Sequence, residues 1–375
     1  MRKRAILIVM LLAAGALVLT CQRQRPLVLG FAGQLTGTFS DLGVQGRNGA
    51  TLAVEEINQA GGVAGRQLKL LAVDDGNTPD AALAGDESLL DAGAVAIIGH
   101  MTSSQTMAVL PMAESRGALL VSPTTATPTL TAKKDLFFRL IPDNSSWAAA
   151  LAEFALKSRR IERVYVLGDS DNTAYTASFN KAFVQRFQAL GGMISAAREF
   201  SSKARPDWKA LVEDAASSGA QAVVLTASAR DVAEFAKARA LARVDMHILC
   251  PTWPYTREIL VAGGESVEGI IFATSYTEEN DTPRFKSFQH RYQARFGWEP
   301  NFAAAYSYEA VLLLAKALEI TGGKRRGLED ALTSTGTIQG VIGDFSLDQY
   351  GDVSRGTFLV TIEQGRFKTV RKPGE

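Results

Sequence analysis

Two short segments hold the polar side chains best placed for ligand chemistry. His100-Met101-Thr102-Ser103-Ser104-Gln105 follows an apolar run and opens a helical pattern. A helix N-terminus presents unpaired N–H groups and a partial positive charge, so it can hold a carboxylate. A Ser103 or Ser104 hydroxyl would add a donor, although simple N-capping accounts for the same residues without a ligand. Ser122-Pro123-Thr124-Thr125-Ala126-Thr127-Pro128 follows the next apolar run. Its four hydroxyls and two prolines make either a rigid, donor-rich ledge or a solvated loop. Bond-making chemistry finds little material. There is no G-x-S-x-G, no H-E-x-x-H and no G-x-x-x-x-G-K-[ST]. Of the three histidines, His290 sits in a charged segment and His247 begins a strand, leaving His100 alone at a candidate site. Two cysteines cannot form a four-thiolate metal site, so no metal or other cofactor is expected.

The elements that must position these residues alternate. Strands are expected at 27–32, 68–73, 95–99 and 119–121, with helical spacing between them. The pattern restarts after 143, with strands at 163–167, 193–200, 222–226, 247–250 and 269–273. Such alternation predicts an α/β fold with parallel sheets in two lobes, in keeping with a length of 375 residues. Two long helices follow at 282–296 and 301–321, then short antiparallel strands from 338 onward. In open parallel sheets ligands lie outside the carboxyl ends of the strands. Those ends carry the two segments above, together with 169–175, 226–230 and 251–255.

Arg2, Lys3 and Arg4 precede an uncharged run from Ala5 to Leu19. That run is short for a membrane span and suits an export signal over residues 1–20. Cys21 follows it, in the position of a bacterial lipoprotein cysteine, although Thr20 and Leu19 depart from the small residues usual there. Secretion with cleavage after Ala16 is the alternative. Residues 21–26 read as a tether, and with Cys21 lipidated Cys250 is a buried, unpaired thiol. The chain balances 40 basic against 39 acidic residues, which argues against a nucleic-acid surface.

The ordered set Ala32-Gly33-Gln34-Leu35-Thr36-Gly37, Asp41-Leu42-Gly43, Gly49-Ala50 through Ile57-Asn58, and Gly61-Gly62-Val63 resembles the opening of the branched-chain amino-acid-binding proteins. These are type I periplasmic solute-binding proteins of ABC importers. The likeness continues through Val73-Asp74-Asp75, Ile98-Gly99-His100, Ser122-Pro123, Phe138-Arg139, Tyr306-x-Tyr308-Glu309 and Gly343-Asp344-Phe345. It implies two Rossmann-like lobes joined by three crossovers: 27–142 with 275–342, and 143–274 with 343–375. It further implies a small carboxylate ligand, amino acid or organic acid, trapped by lobe closure and passed to an ABC permease of the branched-chain type. No nucleic acid is a partner, and a lipid on Cys21 is the only tie to the membrane.

By the same resemblance Ser103 and Ser104 hold the ligand carboxylate, Thr124, Thr125 and Ala126 form a second contact loop, and Tyr175 covers the ligand. Leu42 and Trp253 are further lining candidates. Thr252 stands where an acid for a ligand ammonium is expected, and Ser228 where an aromatic is expected. Asp169 or Asp171 could compensate, or serve as turn residues. A receptor of the same fold without a transport role is the alternative function. A hydrolase or oxidoreductase on this scaffold is disfavoured by the missing motifs.

Overall fold

The computed structural model describes residues 25–37, 40–76 and 78–374; the export segment and Cys21 lie outside them. The first sheet contains β1 (Leu27–Gly33), β2 (Leu68–Asp74), β3 (Ile97–Ile98), β4 (Leu120–Ser122) and β5 (Phe137–Arg139). All are parallel, in the order β2-β1-β3-β4-β5. The crossovers are α1 (Ser40–Gln59), α2 (Pro79–Asp91) and α3 (Ser103–Ser115). β5 was not foreseen among the expected strands.

The second sheet begins with β6 (Arg163–Asp169), β7 (Met193–Phe200), β8 (Ala222–Thr226), β9 (His247–Cys250) and β10 (Ile271–Thr274), again parallel. Their order, β7-β6-β8-β9-β10, repeats that of the first sheet. All five residues of β8 are buried, as expected of a strand covered on both faces. Its helices are α4 (Ser145–Glu153), α5 (Thr173–Ala189), α6 (Trp208–Ser217), α7 (Ala229–Leu241) and α8 (Arg257–Gly263). In each lobe the strand order reverses beside the first strand, and the crevice opens at such a switch point.

Three further helices follow: α9 (Pro283–Phe296), α10 (Phe302–Ile320) and α11 (Leu328–Ser334). α10 packs along α1 of the first lobe. The two backbones approach so closely that a Cβ on Gly49 would lie 2.0 Å from the Ala304 carbonyl oxygen. Small buried residues occur on both helices, Ala50 and Ala53 on α1 and Ala303 and Ala304 on α10. A short ribbon, β11 (Ile338–Gln339) with β12 (Asp344–Phe345), precedes β13 (Phe358–Glu363) and β14 (Arg366–Arg371). These last two strands extend the second sheet antiparallel from the β10 edge.

The chain thus passes between lobes three times. The first passage follows β5, and the second lies between β10 and α9. The third was expected at 342/343 but falls later. The Arg139 N–H donates to Gly351 O at 3.0 Å, and Arg139 Nε pairs with Asp352 at 2.7 Å, so this stretch stays beside β5. All three connectors are bonded to common partners. Arg355 pairs with buried Glu309 of α10 at 2.5 Å and donates from Nε to Leu140 O at 2.9 Å. Burial raises the Glu309 carboxyl, and the Arg355 charge opposes that rise. Ser275 of the second connector accepts from Trp147 Nε1 at 2.8 Å and, through its carbonyl, from the Tyr306 hydroxyl at 3.1 Å.

The α1–α10 contact leaves no room for a side chain. Gly49→Val is expected to destabilise the protein by about 3 kcal/mol. Thermal unfolding followed by circular dichroism checks this, and an unchanged midpoint would mean that the helices can separate freely.

Candidate ligand-binding site

A small hollow lies between the lobes; its enclosed free space, about 20 Å³, holds roughly one water molecule. The first lobe contributes Leu42 from the start of α1, Met101 and Ser103 from the β3–α3 turn, Thr124 from the loop after β4, and Phe302 from α10. The second lobe contributes Asn172 from the turn after β6, Tyr175 from the first turn of α5, and Thr252 and Trp253 from the loop after β9. Ile141 and Trp147 stand at the first connector. No lining side chain carries a formal charge.

Six of the expected residues therefore meet here: Leu42, Ser103, Thr124, Tyr175, Thr252 and Trp253. Four do not line the hollow. Ser228 caps α7, its hydroxyl donating to Asp231 at 2.6 Å while accepting from the Asp231 N–H at 3.2 Å. Ser228-x-x-Asp231 is a capping pattern that the sequence already displayed. Thr125 is buried below the site, sharing a hydrogen bond with Thr106 at 2.7 Å. Ala126 supplies backbone only: its N–H donates to the Ser103 hydroxyl at 3.3 Å. Ser104 joins the lobes directly. Its N–H donates to Asn172 Oδ1 at 3.2 Å, and its hydroxyl accepts from the Ala174 N–H at 3.3 Å.

Asp169 and Asp171 are likewise turned to other work. Asp169 accepts from the Ser202 hydroxyl at 3.0 Å and from the Asp171 N–H. Burial raises its carboxyl to about 6. Asp171 accepts from the Ser201 hydroxyl and the Lys203 N–H. They behave as turn residues and do not reach the hollow.

The sequence did not single out Met101, Ile141, Trp147, Asn172 and Phe302. Asn172 lay within a flagged strand-end segment. Phe302 and Trp147 carry no local signal, because connector and helix packing alone brings them in.

The hydroxyls of the lining are unequal. Thr124 donates to Met101 O at 2.7 Å, and Thr252 donates to Ala273 O at 3.1 Å, so both protons are already used. The Ser103 hydroxyl accepts from Ala126 but, among the described residues, has no acceptor for its own proton. The Tyr175 hydroxyl is buried beside the Trp253 backbone N–H, with no acceptor for its own proton among the described residues, and its ring meets Trp253 edge-on with centroids 5.9 Å apart. Burial pushes the Tyr175 hydroxyl well above the usual phenol range, so it stays protonated.

His100 supports this site from beneath. It is fully buried, with Nδ1 2.8 Å from Asp75 and Nε2 3.2 Å from Asp86. Burial opposes its charge, but the two carboxylates prevail and raise it to about 9. Its carbonyl accepts from the Ser122 hydroxyl at 2.9 Å and the Thr125 hydroxyl at 3.3 Å. An imidazolium thus fastens the β3–α3 turn to β2, α2 and the loop after β4. Beside the hollow, burial and the neighbouring Glu258 of the second lobe raise Asp41 to about 7, with the Thr256 hydroxyl easing the rise.

Comparison with known proteins fits this geometry. Residues 26–366 match the model of a family described as periplasmic binding protein. The chain belongs to the periplasmic binding protein family. It is 25% identical over 334 residues to the leucine-, isoleucine-, valine-, threonine- and alanine-binding protein of Pseudomonas aeruginosa, covering 88% of each chain. It superposes on the leucine-binding protein LivK of Thermotoga maritima with a TM-score of 0.85 at 25% identity, covering 92% of this chain and 98% of that one. A solute-binding protein of an ABC transporter from R. palustris, in complex with benzoate, aligns with a TM-score of 0.84 at 20% identity, over 93% and 96%. The fold is thus the type I periplasmic binding protein fold. This periplasmic binding protein is a solute-binding protein of ABC transporter type and not an enzyme. Its location is extracytoplasmic. No helix among the described residues is long and apolar enough to cross a membrane.

Because the folded state raises the His100 pKa above its ordinary 6.5 to about 9, it binds the proton more tightly than the unfolded chain does. Its contribution is therefore full below about pH 6.5 and is lost as pH rises through about 9. His100→Gln is expected to destabilise the protein by roughly 3–5 kcal/mol at pH 6, since two buried carboxylates lose their counter-charge. Urea unfolding of both proteins at pH 6 and pH 9.5 checks this. The gap should narrow at the higher pH, and a constant gap would mean that His100 is neutral.

Proposed function

We propose that this binding protein captures a small carboxylate-bearing solute and presents it to an ABC importer of the branched-chain amino-acid type. Two lobes, 27–142 with 275–342 and 143–274 with 343–375, close on the ligand, the later third passage noted above adjusting the final boundary. Residues 1–20 direct export and Cys21 carries a lipid anchor. The relatives support the class of solute: the Pseudomonas protein is named for amino acids, and the R. palustris structure holds benzoate.

One observation carries the reading. Ser103, at the first turn of α3, lines a hollow whose opposite wall comes from the other lobe. Thr102 precedes it with no side-chain capping bond, and of the first-turn N–H groups the Ser104 N–H is already taken by Asn172 Oδ1. A carboxylate placed there gains the Ser103 hydroxyl and the partial positive charge of the helix end. Hydrogen bonds to a charged group contribute about 1.5–3 kcal/mol each. Contacts to both walls make binding and closure one event.

Ser103→Ala should weaken binding of a carboxylate such as benzoate by about tenfold or more. The amide, benzamide, should bind the native protein far more weakly than the acid. Titration calorimetry on the chain from Gln22 measures both. Equal affinity for acid and amide would remove the carboxylate anchor from the account.

A further inference from the structure

We infer that the solute is a carboxylate without an ammonium group, carrying a compact apolar body. The inference rests on the hollow being the ligand site and concerns what that site accepts. The hollow treats the two charge signs differently. For an anion it offers the Ser103 and Tyr175 hydroxyl protons and the positive end of α3, apart from the Ser104 N–H that Asn172 already holds. For a cation it offers only neutral oxygens, chiefly those of Thr124 and Thr252.

The remaining surface is apolar: Met101, Ile141, Trp147, Trp253 and Phe302, with Leu42. An ammonium buried there loses its water and meets no opposite charge, and such a charge is strongly disfavoured. The acids nearest in the chain do not supply one. Asp169 and Asp171 are held by the Ser201 and Ser202 hydroxyls and the Lys203 N–H. Asp41 adjoins Leu42 but does not line the hollow, and it already faces Glu258 and Thr256 across the lobes. The buried Tyr175 hydroxyl faces the Trp253 backbone N–H, but its own proton has no acceptor among the described residues; an oxygen of the ligand would take it.

Pairs of compounds that differ only in the ammonium test this on the native chain: 4-methylpentanoate against leucine, and 3-phenylpropanoate against phenylalanine. Benzoate is added as a compact aromatic acid. Titration calorimetry should show the acids binding at least about a hundredfold more tightly than their amino partners, the range expected when a buried charge lacks its partner. Amino acids binding as tightly as the acids would overturn the inference and leave the carboxylate site standing. If that binding vanished in Asp41→Asn, the ammonium would be placed on Asp41. No binding by any member would overturn the reading of the hollow as a carboxylate site, and the inference with it.

Discussion

The walls of the hollow belong to two lobes, and the site exists only while those lobes face one another. Neither lobe alone encloses a ligand. The bonds from Ser104 to Asn172 and from Ala174 to Ser104 fix that arrangement across the cleft. They join the start of α3 to the turn after β6 and the first turn of α5, next to Ser103 and Tyr175. The contacts that bring the lobes together are therefore immediate neighbours of the contacts that would hold a solute.

Charge is placed around this arrangement and kept out of it. The buried imidazolium of His100 fixes the β3–α3 turn from below, and the buried Arg355–Glu309 pair binds the connectors to α10. Isolated buried charges are costly, and both sets answer that cost with opposite partners. The Asp41–Glu258 approach is the exception. It sets like charges together where the lobes meet, so proton uptake by Asp41 favours this arrangement. The hollow itself is left uncharged, and the selectivity of its hydroxyls follows from which protons are already used.

Much of this was legible in the sequence because the central parallel strands, buried on both faces, appear as continuous apolar runs, and the edge strands β2 and β7 keep the spacing of the repeat. β1, β2 and β6 to β10 lie within a few residues of their expected positions. The loops at their carboxyl ends were legible for the same reason, and Ser103, Thr124, Tyr175 and Thr252 came with them. Side-chain direction within a loop was not legible. Thr125 points below the site and Thr124 lines it, although they are adjacent in the chain. Ser228 was misread because a capping pattern and a ligand loop look alike at a strand end. Trp147 and Phe302 depend on how connectors and long helices pack, which no local period encodes. The third passage fell later than expected because Arg139 holds Asp352 beside β5.

The central claim is that a small carboxylate and lobe closure are coupled, and solution X-ray scattering tests it most directly. The radius of gyration of the chain from Gln22 would be measured alone and with saturating benzoate, 4-methylpentanoate or leucine. The account predicts a smaller, more compact particle with any of these that binds. A bound ligand that leaves the scattering curve unchanged would contradict it, since the site would then be complete without movement of the lobes.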